Sequence, residues 1–172
     1  MSIDGLTGLP THRELAAHLS VSAVPFAAFF DIDALVWLTH IFGYQASDAA
    51  IIRVAGMIRD RAAALGCPTF RIGGDEFLAV LDGRTHDQAV EFARSTLSLV
   101  SAARIEYRRA DDPARNHLAL NAVVCRVTRR IEVNPSQVAE WFADQIWKAR
   151  GGDLRRCEVL ADMGDDLPPW AT

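Results

Sequence analysis

Cysteine is scarce in this chain of 172 residues: Cys67, Cys125 and Cys157 are its three. They are too few and too scattered for a disulfide framework or a zinc site, and a reduced, cytoplasmic setting suits them. Long hydrophobic runs are missing too. The longest, Val24-Pro25-Phe26-Ala27-Ala28-Phe29-Phe30, stops at Asp31, far short of the roughly 20 residues that span a bilayer as a helix. The opening residues, MSIDGLTGLP, carry no basic stretch followed by an apolar core, so no signal peptide is expected. Nor is there an excess of positive charge. A net charge of −4 and a pI near 5.7 argue against non-specific binding to nucleic acid or to an anionic membrane. A basic pocket for a phosphorylated small molecule is compatible with this, because net charge describes the whole surface and not one site. No Gly-, Ser- or Pro-rich linker and no internal repeat divides the chain.

Half of the residues are apolar, enough in a chain of this length for one domain with a sizeable core. Thr11-His12-Arg13-Glu14 reads as a capping box that starts a helix reaching about Leu19. Phe26 to Ile32 is apolar on both faces, as a central strand under helices should be. Ile51, Val54, Ile58 and Leu65 recur at helical spacing and predict a long amphipathic helix from about Gln45. Thr69–Ile72 and Glu76–Leu81 read as two strands around Gly73-Gly74, with the glycines free to take the positive φ values of a tight turn. A helix is expected from about Thr85 to Ala102, with Ala89, Phe92, Ala93, Leu97 and Val100 facing inward. Leu118–Val127 is β-prone, Asn134-Pro135 opens a last helix with Pro at its first position, and Glu158–Leu160 reads as an edge strand. The expected order is α-β-α-α-β-β-α-β-β-α-β, an α+β domain with a mostly antiparallel sheet over residues 1–160. Residues 161–172, with Asp162, Asp165, Asp166 and Pro168-Pro169, read as an acidic, flexible tail.

Asp31 ends an apolar strand, where an unpaired carboxylate is costly unless a metal or a hydrogen bond compensates it. Asp75 and Glu76 sit at the tip of the hairpin. If that hairpin pairs beside the first strand, Asp31 and Asp75 converge at one end of the sheet. Mg²⁺ takes one or two carboxylates together with substrate phosphate oxygens, so this is a site for it in phosphoryl transfer. The same residues also fit a plainer reading, in which Asp31-Ile32-Asp33 caps the next helix and Asp75 lies in a turn.

Arg71-Ile72-Gly73-Gly74-Asp75-Glu76-Phe77 resembles the signature for which GGDEF domains are named, and Asp4-Gly5-Leu6-Thr7-Gly8-Leu9-Pro10 is similar to that family's opening DxLTGLP motif. Between them, Phe30-Asp31-Ile32-Asp33, Gly43 and Asp48 resemble the family's segment from first strand to long helix. The resemblance runs from Asp4 to about Arg156. It implies a polymerase-palm-like sheet flanked by helices and a diguanylate cyclase, in which a homodimer joins two GTP into cyclic di-GMP with loss of two pyrophosphates. It further implies that Asp31, the Ile32 carbonyl and Asp75 hold Mg²⁺ or Mn²⁺, and that Glu76 helps deprotonate the attacking 3′-hydroxyl. By the same resemblance Gly73 and Gly74 leave room for the nucleotide, the amides of Ala34 and Leu35 bind terminal phosphates, and Asp48 accepts from guanine.

The departures from the family pattern matter as much. Thr39 stands where the family has an Asn that reads guanine, and Val36 where it has a Lys. The last-helix pattern Tyr-x-Ala-Lys-x-x-Gly-Arg appears as Trp147-Lys148-Ala149-Arg150-Gly151-Gly152-Asp153-Leu154, so Arg150 replaces one cation and Leu154 removes another. Ala64 and Cys67 occupy the Arg and Asp positions of the family's product-inhibition site. Trp37, His40 and Tyr44 stand where the family has polar residues near the nucleotide, and packing of Trp37 and Tyr44 against a neighbouring helix is the expectation. Three functions are compatible with this pattern: a cyclase of GTP, a catalytically weak domain that regulates by binding a nucleotide or another protein, and a cyclase of altered base choice.

Overall fold

The computed structural model describes residues 1–19, 25–33, 35–106, 117–127, 135–151 and 159–164. Strand β1 (Phe26–Asp33) is the middle strand of a five-stranded sheet. Beside it lie β2 (Thr69–Arg71), β3 (Glu76–Leu81), β4 (Ala119–Arg126) and β5 (Leu160–Asp162), in the order β2-β3-β1-β4-β5. All pairings are antiparallel except β4 with β5.

Alternation along β1 sends Phe26, Ala28, Phe30 and Ile32 to one face and Ala27 and Phe29 to the other. Helices α3 (Tyr44–Ala63) and α4 (His86–Ala102) cover the first face, and α1 (His12–Leu19) and α5 (Pro135–Arg150) the second. Phe30 meets Phe92 of α4 edge-on at 6.0 Å between ring centroids, and Phe29 meets Trp141 of α5 at 5.6 Å. Burying one such ring contributes about 1.5–3 kcal/mol, which anchors each helix on its face. Helix α2 (Leu35–Phe42) fills the short step between β1 and α3. Gly43, at φ 82°, turns α2 into α3 through a backbone conformation that a side chain would strain.

The expected mostly antiparallel α+β sheet is what the chain forms, and α4 buries the five inward residues named from its periodicity. Several local readings are corrected. Thr11 and Glu14 form no capping box: the Thr11 hydroxyl donates to Ser2 Oγ (2.9 Å), and the Glu14 carboxylate accepts from Ser2 N (2.6 Å). The residues before α1 return to its start and outcompete the local bond. A capping box does start α4, between Thr85 and Gln88. Helix α3 ends at Ala63, so Leu65 packs on the core from the turn that follows. Between α4 and α5 the described residues hold β4; the second strand expected there falls on stretches, 107–116 and 128–134, that lie outside the described residues. Strand β5 begins at Leu160, so Ala161 and Asp162, assigned to the tail by sequence, pair with β4. Asn134, Leu154, Cys157, Glu158 and residues 165–172 lie outside the described residues. Among the described residues no helix is long and apolar enough to cross a membrane.

Candidate functional site

The β1–β3 register sets Asp31 directly opposite Glu76. Directly opposed residues share a face, so both carboxylates lie on the α5 side at one end of the sheet. Asp75, the last residue of the connecting turn, accepts from Ile32 N through its carbonyl (3.3 Å), which locks the hairpin tip against the end of β1. The convergence expected for Asp31 and Asp75 therefore follows from strand pairing, and Glu76 joins them.

Burial pushes the Asp31 carboxyl up to about 8, and the charges of Asp75, Glu76 and Asp33 push the same way, with the Asn121 amide opposing them. Asp75 and Glu76 are raised as well, each mainly by burial. These are oxygen donors with too much negative charge for their surroundings, a set that fits a hard divalent cation shared with substrate phosphates. Among the described residues no group of three or more His, Cys, Asp or Glu side chains is arranged to hold a metal ion by itself.

At Gly73 the constraint is close approach and not turn conformation, since a side chain there would displace the Glu76 carboxylate. A Cβ there would fall 1.8 Å from Glu76 Oε2, and neither Gly73 nor Gly74 takes a positive φ. The turn spans four residues, Ile72 to Asp75, and is closed by the amides of Ile72 and Gly73 donating to Glu76 O (3.0 and 3.4 Å). A four-residue turn does not need the left-handed geometry of a two-residue one. Gly74 faces open space, which keeps the backbone bare there.

Arg71, given no role by sequence, organises this tip. Its Nε donates to the carbonyls of Gly73 (3.1 Å) and Gly74 (3.2 Å), its Nη2 to Gly74 O, and its Nη1 to Asp4 Oδ1 (2.8 Å). Asp4 also takes the Thr7 hydroxyl (2.6 Å) and amide (2.8 Å). Burial alone would raise the Asp4 carboxyl, but the Thr7 and Arg71 bonds outweigh it and hold it at about 2.

The remaining expected residues divide. Leu35 is the first residue of α2, so its amide is among those left unpaired at a helix start; Ala34 lies outside the described residues. Asp48 is half-buried on the first turns of α3. Thr39 donates its hydroxyl to Leu35 O (3.0 Å), within its own helix. Arg150 is engaged as well: its Nη2 donates to Asp33 Oδ1 (2.9 Å), and both side chains are largely shielded from solvent. With Asp31, Asp33 and Glu76 it lines a cavity of about 180 Å³ under α5. Val36 is 72% exposed at the position of the missing lysine. The packing expected of Tyr44 is not found, since it is 80% exposed, while Trp37 is 41% exposed. The short α2 buries Leu38, packs Leu35 partly on the core and leaves Val36, Trp37, Ile41 and Phe42 exposed. A larger groove of about 790 Å³ lies between α3 and α4, away from the carboxylates. Ala64 lines it, while Cys67 is buried.

Asn121, too, has no role assigned by sequence. A single amide inside the apolar run Leu118–Val127 was the signal. It stands opposite Asp31 on the other side of β1, so Glu76, Asp31 and Asn121 form one row across three strands.

The family model described as "Diguanylate cyclase, GGDEF domain" matches residues 1–141. Among solved structures the chain is similar to the GGDEF domain of DgcB from Caulobacter crescentus in complex with c-di-GMP, with 20% identity and a TM-score of 0.71 over 93% of this chain and 92% of that one. It is similar to the GGDEF domain of PA1120 (TpbB or YfiN) from Pseudomonas aeruginosa, with 20% identity and a TM-score of 0.67 over 93% and 94%. It is also similar to the diguanylate cyclase SiaD of Pseudomonas aeruginosa, in complex with its activator SiaC, with 19% identity and a TM-score of 0.65 over 93% and 61%. No curated protein matches the chain.

Proposed function

We propose that this chain, which belongs to the GGDEF domain family, is a diguanylate cyclase that works as a pair of GTP-loaded copies. Each 3′-hydroxyl attacks the α-phosphorus of the other copy's GTP. The new O–P bond forms as the bond to pyrophosphate breaks, and two such events give cyclic di-GMP and two pyrophosphates. The observation that carries this reading is the carboxylate row of Asp31 and Glu76, with Asp75 locked at the adjoining tip.

In this reading Asp31, the Ile32 carbonyl and Asp75 hold Mg²⁺ or Mn²⁺. When bound, the cation supplies positive charge against the triphosphate. Glu76 accepts the proton of the attacking hydroxyl, a role its raised carboxyl suits. The bare backbone at Gly74 admits the nucleotide, the Ala34 and Leu35 amides bind its terminal phosphates, and Asp48 and Thr39 face the guanine edge. The catalytic domain runs through β5, and the residues that follow it form an acidic extension. A cytoplasmic setting, where GTP is available, belongs to the same proposal. The test is incubation with GTP and Mg²⁺ and chromatography of the products. A cyclic dinucleotide is expected, slower to form than with a full phosphate clamp, and Asp75→Ala should abolish it. No dinucleotide at high enzyme and GTP concentration overturns the reading.

A second reading is favoured by two contacts. Arg150 is bound to Asp33, and Thr39 spends its hydroxyl proton on Leu35 O. A domain with its clamp so occupied fits a regulator that binds nucleotide, or a protein partner as SiaD binds its activator SiaC, without turnover. Tight GTP binding with no product would select it.

A further inference from the structure

Asn121 lies within β4 and is fully shielded from solvent. Alternation puts it on the same face as Val123 and Cys125, which pack on the α5 side of the sheet. Its register partner is Asp31. On that face Asp31 therefore has a carboxylate, Glu76, on one side and a neutral amide on the other.

The amide's orientation is set from outside the row. Val159 N donates to Asn121 Oδ1 (3.2 Å), so the oxygen is the atom turned toward Val159 and the NH₂ group is turned away. Nδ2 is buried and has no hydrogen-bond partner among the described residues. A buried amide donor left unpaired is destabilising, and the neighbours Leu120, Ala122 and Val123 show that the strand accepts apolar residues on both sides of position 121. The acceptor opposite it across the strand pair is the carboxylate of Asp31.

We propose that Asn121 is the positioning residue of Asp31: its Nδ2 takes one oxygen of the ionised carboxylate and leaves the other turned toward the divalent cation and the nucleotide phosphates. The bond from Val159 makes the amide a fixed donor, so Asp31 meets the cation in one orientation. This rests on the cyclase reading above, in which Asp31 is a metal ligand.

The test uses the full chain, with Mn²⁺ as the probe and a non-hydrolysable GTP analogue present, and reads free Mn²⁺ by electron paramagnetic resonance. Asn121→Leu removes the unpaired donor together with the acceptor of Val159 N; it should fold and bind Mn²⁺ about tenfold more weakly than wild type. Asn121→Ser, which keeps a shorter donor, should fall between them. A folded Asn121→Leu protein with wild-type Mn²⁺ affinity overturns the proposal, as does a wild type that binds no Mn²⁺. Should both variants fail to fold, the assigned Asn121 side-chain NH₂ resonances of the wild type decide. Addition of Mg²⁺ and the analogue should shift them, and a shift no larger than in Asp31→Ala would refute the assignment. Product chromatography is scored separately. A wild type that binds Mn²⁺ through Asn121-oriented Asp31 yet makes no dinucleotide sinks the cyclase reading alone.

Discussion

Arg71 Nη1 lies 2.8 Å from Asp4 Oδ1 and joins two sequence motifs that are 67 residues apart. The same guanidinium holds the carbonyls of Gly73 and Gly74, so the opening turn and the hairpin tip that carries Asp75 are aligned by one side chain. Arg71 N also donates to Pro10 O (2.9 Å), which fixes the same two segments through the backbone.

Loss of this link should therefore appear in both stability and activity. Arg71→Ala leaves Asp4 partly buried without its cation and is expected to cost about 2–4 kcal/mol. Product formation should fall at least tenfold even where the variant is folded. Denaturant unfolding and a GTP turnover assay check the two effects.

The Asp4 carboxyl, held at about 2 against an ordinary 3.8, makes an acid-side prediction. Its folded value is depressed, so its contribution is fully present above the unfolded value and is lost as pH falls from near 4 through 2. The stability gap between wild type and Asp4→Asn should be about 2 kcal/mol at pH 5 and should close toward pH 2. A gap unchanged over that range would show that Asp4 does not act through its charge.

Asp31 runs the other way. Its carboxyl is raised to about 8, so the folded state binds this proton more tightly than the unfolded chain does. Stability of the metal-free protein should fall as pH rises from near 4 toward 8. Asn at position 31 removes the buried charge. Asp31→Asn is thus expected to be more stable than wild type at pH 8 by at least about 1.4 kcal/mol, one pKa unit, and to form no product. Thermal melts at pH 5 and pH 8 without divalent cation measure the first effect. A wild type as stable as Asp31→Asn at pH 8 would contradict it.

Base recognition is expected to be improvable at one position. The Thr39 hydroxyl proton is committed to Leu35 O, and Asn at this position adds an amide that reaches further. Thr39→Asn should tighten GTP binding about fivefold, the worth of one neutral hydrogen bond of about 1 kcal/mol, and leave ATP binding unchanged. Asp48→Ala should weaken GTP binding by more than that, since a charged acceptor is lost. Titration of both nucleotides decides it, and wild-type ATP binding equal to GTP binding points to altered base choice.

Product inhibition through the end of α3 is not expected. Ala64 offers only a methyl group to the groove between α3 and α4, and Cys67 is buried, so positions 64 and 67 supply neither guanidinium nor carboxylate for bidentate pairing. Submicromolar cyclic di-GMP binding that survives Asp75→Ala, but is lost on changing residues 64 to 67, would overturn this.

What the sequence by itself determined was whatever depends on neighbours along the chain. Alternation and apolar runs specified β1, β3 and β4, apolar spacing specified α3 and α4, and the cluster Asp31, Asp75, Glu76 marked one end of the sheet. Strand pairing is constrained by that alternation, which is why the convergence of Asp31 with the hairpin could be anticipated. The tertiary structure alone decided what depends on partners far away. Ser2 took the side chains that would have capped α1, because a bond to a returning segment outcompeted a local one. Arg150 was claimed by Asp33, 117 residues distant, and a guanidinium bound to a carboxylate differs from one that waits for a phosphate. Asn121 acquired meaning only when β4 lay beside β1, since nothing local to an apolar strand tells which carboxylate its one amide will face.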